Sequence, residues 1–235
     1  RKQAIAWERK IRSKFKDVAE HELNAVMGYK KVEDELRGFK KPDSDRLLWD
    51  EMNESSINAM LEAVASTNHL VHRFMKLKTR ILGRESLDYE ERWVQVGKIE
   101  TKFEYEKSLD IVKSAFGELH PKFEKIVDDF VSEWRIDVNP TIGKRGWAYQ
   151  QAMWKKFPAY ILLNHMNDIN SMTTLAHELW HGINAVLTHE IQENIYCGVF
   201  TSTAEVASTF MEEFALEKAK SELDDEWKFL ACMAS

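Results

Sequence analysis

Helix-breaking residues are scarce in this chain. It holds 9 Gly and 4 Pro in 235 residues, so long helices meet few interruptions. Cysteine is rarer still. Cys197 and Cys232 are the only two, which excludes a disulfide framework and predicts free thiols in a reducing, cytoplasmic setting. No apolar run approaches the roughly 20 residues that a membrane-spanning helix needs, and no secretory leader is visible. A basic excess is also lacking. The formal charge is −6, which gives no reason to expect a nucleic-acid partner. Runs such as Arg9-Lys10-Ile11-Arg12 alternate with acidic ones, as on solvated helix faces. Internal repeats and low-complexity segments are missing as well. The chain starts at Arg1 and stops within a helical pattern at Ser235, so a piece of a longer protein is expected.

What is there is 44% hydrophobic and 31% charged, the texture of a helix-rich globular chain. Residues 1 to about 37 read as helices, broken at Gly38 and Pro42. From Ser55 the apolar positions Ile57, Met60, Leu61, Val64, Val71, Phe74 and Met75 keep helical spacing up to about Gly83. Further helices are expected from about Lys102 to Phe116 and from Pro121 to Trp134, with Pro121 suited to a first turn. The texture turns loop-like at Ile136, ahead of Pro140, Gly143 and Gly146. Trp147-Ala-Tyr-Gln-Gln and Ala159-Tyr-Ile-Leu-Leu-Asn164 then read as two short strands. Asn167-Asp-Ile-Asn-Ser171 offers helix caps. After a loop at about 189–202, helices are expected over 203–220 and 222–233. The expected fold class is mainly α, with one small β-sheet just before a helix that carries two histidines. Residues 1–135 are expected to form a helical region and 136–235 a second region that carries the two histidines, with one continuous domain as the alternative.

That helix contains Thr-Thr-Leu-Ala-His-Glu-Leu-Trp-His-Gly-Ile-Asn. His177 and His181 are one turn apart, about 40° around the axis, and can present two imidazoles to one cation. Glu178 sits beside that face, as a general base for a metal-bound water requires. Two histidines do not complete a catalytic zinc site, so a third ligand must come from elsewhere. Position 187, where a third histidine would fall, is Leu187. His189 lies about 80° round from His181 and should face away. Glu190 and Glu193 read as exposed loop charges. Glu205 is better placed, at the start of a helix that can return antiparallel. Glu212 is seven residues on and shares its face, so it can accept the free ring N–H of a ligand histidine. Neither cysteine has the neighbours that a closed structural site needs.

His177-Glu-Leu-Trp-His181 followed by Ala204-Glu-Val-Ala-Ser-Thr-Phe-Met-Glu212 resembles the oligoendopeptidase F branch of the thimet-oligopeptidase-like zinc metallopeptidases. Ile136-Asp-Val, Gly143-Lys-Arg-Gly-Trp-Ala-Tyr149, Tyr160-Ile-Leu-Leu-Asn164 and Thr174-Leu-Ala-His177 extend the likeness. It covers most of the chain and is strongest over residues 136–213. The resemblance implies a largely helical fold around a deep channel, with residues 1–135 as part of its wall, and cleavage of short peptides. It implies one zinc per chain held by His177, His181 and Glu205, with Glu178 as the catalytic glutamate. Three departures stand out. Trp180 and Asn184 occupy positions where the family usually has Gly and often has His. Family members are also much longer, which implies a fragment or shortened relative whose activity is weak or absent.

The expected function is therefore a zinc-dependent metalloendopeptidase acting on short oligopeptides. Trp147, Ala148 and Tyr149 are candidates for holding extended substrate on a strand edge. Tyr149, Tyr160 and Tyr196 are candidates for meeting a substrate carbonyl. A zinc carboxypeptidase or peptidyl-dipeptidase is the rival enzyme. It would need a cation for the substrate carboxylate, and Lys144 and Arg145 are the nearest. A truncated module that binds zinc and peptide without cleaving is the rival from another class.

Overall fold

The computed structural model describes residues 2–92, 94, 96 and 102–221. The helix expected over 222–233 and Cys232 lie outside the described residues. Contacts divide the chain into two compact units, Arg1–Val94 and Gln95–Ser235. Among the described residues, no helix is long and apolar enough to cross a membrane.

The first unit is built from α1 (Lys2–Ser13), α2 (Lys16–Arg37), α3 (Ser44–Trp49) and α4 (Glu54–Ile81). Helix α2 stops at Gly38, whose φ of 72° is left-handed and cheap only for glycine. There the Phe39 N–H returns to Asp34 O at 2.8 Å, closing the helix end. Helix α4 starts where the Asn53 side chain accepts the Ser56 N–H at 2.9 Å. Ion pairs Arg37–Asp45 and Lys41–Glu54 clip the turns together. No apolar side chain of this unit is buried among the described residues.

The second unit contains α5 (Tyr105–Leu119), α6 (Pro121–Ser132), β1 (Ile136–Asp137), β2 (Tyr149–Gln151), β3 (Tyr160–Leu162), α7 (Ile169–Ile191) and α8 (Thr201–Ser221). Pro121 occupies the first turn of α6, where its missing N–H costs nothing. The sheet order is β1-β3-β2, with β1 parallel and β2 antiparallel to β3. Strand β2 is therefore an edge. The segment from Ile136, expected as loop, begins instead with strand β1. It forms because Ile161 and Leu163 donate their N–H groups to Arg135 O and Asp137 O at 2.9 and 2.8 Å. The fold is mainly helical with one small sheet before the histidine helix, as its sequence leads one to expect.

The core lies where α5, α6, α7 and α8 meet the sheet, around Phe116, Val127, Phe130, Leu175, Leu179 and Ile183. Helix α7 comes so close to α6 that a Cβ on Gly182 would stand 2.6 Å from Phe130 Cζ. Trp180 points into the same layer. It meets Phe123 and Phe116 edge-on, with ring centroids 5.2 and 6.1 Å apart. The bulk of this ring is thus absorbed by helix packing.

Candidate metal centre

The chain leaves β3 and turns through Asn167, at φ 60°. Asp168 then caps α7 by accepting the Ser171 N–H at 2.8 Å and its hydroxyl at 2.7 Å. Met172, Leu175, Ala176, Leu179 and Ile183 bury the core face of the helix. His177 and His181 emerge together beside that face, and α8 covers them. Glu205 meets both histidines while Glu212, further along α8, meets the earlier one. The two helices therefore run in opposite directions.

Nε2 of His177 lies 3.0 Å from Nε2 of His181. Oε2 of Glu205 lies 3.2 Å from the first and 3.6 Å from the second. At zinc–ligand distances of about 2.0–2.1 Å and tetrahedral angles, neighbouring ligand atoms should be about 3.3 Å apart. The three edges bracket that value. Among the described residues, His177, His181 and Glu205 are the cluster whose ligand atoms converge closely enough to hold a metal ion. The chemistry of the donors agrees, since two imidazoles and one carboxylate leave a fourth position open.

The surroundings prepare each donor. Nδ1 of His177 donates to Oε1 of Glu212 at 2.6 Å, which leaves the Nε2 lone pair facing the centre. That bond raises the His177 pKa, against the opposing pull of burial. Burial, helped by the charge of His177, lowers the pKa of His181 and favours its neutral, ligating form. The Ser208 hydroxyl donates to Oε2 of Glu205 at 3.0 Å. Glu178 is only 7% exposed. Burial raises its pKa, and the charge of His177, followed by a hydrogen bond from the Gln150 backbone N–H, partly offsets the rise. A carboxyl moved in that direction is a stronger base than one free in water.

The other candidates fall elsewhere. Trp147 is 91% exposed at φ 71°, its carbonyl accepting from Asn164 Nδ2 at 2.9 Å. Ala148 packs on the core. Tyr149 opens edge strand β2, under the Arg145 guanidinium at 5.2 Å from its ring. Tyr160 and Tyr196 are exposed. Lys144 is committed to Asp137, with Nζ 2.9 Å from Oδ1, and to Asn139 O at 2.8 Å. His189 is not in the ligand cluster, but it does not face away. It lines the same groove as His181, because 80° is a small rotation on a helix flank. His165 is buried against Tyr105.

Two residues were not picked out by sequence reasoning. Gln150 holds Glu178 through its backbone, and no side-chain pattern encodes that. Strand alternation alone would have set it opposite Tyr149. Ser208 sits one turn after Glu205, a spacing that could have flagged it.

The model of peptidase family M3 matches residues 6–226. Group B oligopeptidase PepB of Streptococcus agalactiae serotype III (strain NEM316) is 30% identical over 169 residues, which cover 69% of this chain and 28% of that protein. The oligoendopeptidase F homolog of Lactococcus lactis subsp. lactis (strain IL1403) is 31% identical over 180 residues, 75% of this chain and 29% of that protein. This chain thus spans under a third of the length of these two relatives. A solved structure described as an oligoendopeptidase F of Bacillus anthracis str. Ames superposes with a TM-score of 0.72 at 18% identity, over 86% of this chain and 39% of that one. At that identity the likeness concerns the fold.

Proposed function

This chain belongs to peptidase family M3, and from that premise we propose that it carries the zinc centre of an oligoendopeptidase acting on short, unstructured peptides. The observation that carries the reading is the triangle of His177, His181 and Glu205, with the buried carboxylate of Glu178 next to it in sequence. His177, His181 and Glu205 would hold one zinc ion per chain. When bound, zinc supplies Lewis acidity, polarising a carbonyl and acidifying water. Glu212 keeps His177 in the tautomer that ligates. Glu178 takes the proton of the attacking water as the new C–O bond forms. It then passes that proton to the amine nitrogen as the C–N bond breaks. The Gln150 N–H holds the carboxylate in place between the two transfers. Strand β2, at the sheet edge with Trp147 and Ala148 before it, would receive the substrate backbone.

Internal cleavage fits better than cleavage from a carboxyl end. Lys144 is spent on Asp137 and Asn139, Arg145 lies over Tyr149, and among the described residues no charged side chain other than histidine lines the groove beside His181. The test is hydrolysis of a mixed pool of short peptides by the zinc-loaded chain, read by mass spectrometry. Internal cuts should fall by about 10²–10⁴-fold in Glu178→Gln, with zinc still bound. Cuts that survive Glu178→Gln would sink the role of Glu178. One zinc per chain with no cuts at all would favour a module that binds zinc and peptide without turnover.

A further inference from the structure

The small sheet has two unlike faces. Ile161 is buried in the core with α7, and Gln150 pairs with it, so both lie on the core face. Tyr149 pairs with Leu162 and Gln151 with Tyr160, so these four stand on the outer face. A hollow of about 400 Å³ opens there, lined also by Trp134 and Arg145. Its aromatic side chains are in reach of solvent: Trp134 and Tyr160 are exposed and Tyr149 is half-buried.

Three charged residues line this hollow, Arg135, Asp137 and Arg145. Two of them are answered. Arg135 Nε lies 3.2 Å from Glu133 Oε2, and Asp137 Oδ1 lies 2.9 Å from Lys144 Nζ. Arg145 is exposed, and its guanidinium sits over the Tyr149 ring, 5.2 Å from the centroid. Among the described residues no carboxylate or carbonyl meets that guanidinium. Held over an aromatic face, it still has its fork of N–H donors to offer. The hollow therefore has one unanswered positive charge at an accessible place.

Strand β2 ties this hollow to the peptide. It is the edge strand next to β3, and a peptide added beside it turns alternate side chains to the core face and to the outer face. An outward side chain opposite Tyr149 would stand about 4.5–5.5 Å from it, under Arg145. We propose that the outer-face hollow is a side-chain subsite of the peptide cleft, and that Arg145 selects an acidic residue there, glutamate or aspartate. The inference rests on the peptidase reading above. A cationic side chain would meet Arg145 as a like charge. A neutral amide would find donors without the charge that strengthens the bond, whereas a carboxylate matches the guanidinium fork in both shape and sign. The role of Arg145 is to choose the peptide. It takes no part in the bond cleavage on the other face.

The test uses the zinc-loaded full chain carrying Glu178→Gln, which should bind peptide without cutting it. Unstructured hexapeptides with both ends blocked are varied one position at a time through Glu, Gln and Lys, and binding is measured by calorimetry. At one position Glu should bind about three- to tenfold tighter than Gln, with Lys weakest. The two flanking positions should show no such preference, because they point to the opposite face. Adding Arg145→Gln should bring Glu and Gln within about twofold. Adding Arg145→Glu should instead make Lys the tightest, a gain that a damaged fold cannot produce. Peptides that bind with no preference for Glu at any position would overturn the subsite and leave the peptidase reading intact. A preference for Glu at every position, or one that survives Arg145→Gln, would also overturn it. So would a tighter complex on unblocking the carboxyl end that Arg145→Gln abolishes, which would give the guanidinium to the terminal carboxylate. Zinc binding with no affinity for any peptide would overturn both readings.

Discussion

Helices α2 and α7 are nearly the same length, 22 and 23 residues, one in each unit. Helix α7 buries eight of its residues and α2 buries none. Their sequences do not announce this contrast, since both carry apolar residues at helical spacing. Periodicity says that a helix has a face to bury, and only a partner buries it. Helix α7 has α5, α6, α8 and the sheet around it. Among the described residues of the first unit, no apolar side chain is buried between helices. Those helices rest on local terms: the Gly38 and Asn53 caps and the i,i+4 pairs Glu8–Arg12, Lys30–Asp34 and Lys31–Glu35. Each such pair is worth only about 0.2–0.5 kcal/mol. A metal centre that needs its ligands held to fractions of an ångström belongs on the packed unit.

The contrast is broken most forcefully by deleting one leucine in each unit. Leu175 on α7 is 0% exposed and Leu23 on α2 is 65% exposed. Leu175→Ala should cost about 2–5 kcal/mol, whereas Leu23→Ala should stay within about 0.5 kcal/mol. The chain has two units, so one global melting curve would blur them. Hydrogen exchange of peptides from each helix, across a urea series, separates them. Equal losses from the two substitutions would mean that α2 is packed after all.

Glycine sharpens the same comparison, because one substitution should have opposite signs in the two units. Gly28 lies inside α2 with nothing within 4 Å of a Cβ built on it. Gly28→Ala should therefore stabilise α2 by about 0.5–1 kcal/mol through backbone entropy alone. Gly182 lies inside α7, where the new methyl would be 2.6 Å from Phe130 Cζ and 3.1 Å from Cε2. Gly182→Ala should destabilise the second unit by about 1–3 kcal/mol. A stabilising Gly182→Ala would show that the Phe130 ring turns aside freely.

What could be read beforehand follows the same division. The long helices α4, α5 and α6 were legible because ten or more residues of repeating apolar spacing leave little ambiguity. Glu205 and Glu212 were legible as a pair because seven residues are two helical turns. Strand β1 was not, since two residues carry no period and its existence depends on register with β3. The destination of Trp180 was not, since only the positions of Phe116 and Phe123 decide where that ring goes. Gln150 was invisible for a different reason: its contact with Glu178 uses a backbone group that every residue but proline has.

The smallest effect expected comes from His165, which belongs to the packed unit but not to the metal cluster. Its Nδ1 lies 3.2 Å from the Asn167 backbone N and 3.3 Å from Asn167 Oδ1, while Nε2 is buried and has no partner. Burial lowers its pKa; Asn167, Asp168 and Glu106 pull the other way and only partly offset this. Tyr105 meets the ring edge-on and adds no charge while its phenol is protonated, as burial favours. The unfolded chain therefore takes up this proton at a higher pH than the folded one. The stability that His165 contributes is complete above its ordinary pKa of about 6.5. It is lost as pH falls from there through the lowered folded value, and changes no further below it. Urea midpoints from pulse-labelled exchange of α7 peptides, with the pulse at fixed pH, should fall on acidification across that window. The fall should be shallower in His165→Gln, which cannot titrate. His177 and His181 also titrate, so only the difference between parent and variant reports on His165. Identical pH profiles for the two would mean that the imidazole reaches solvent and contributes nothing through its charge.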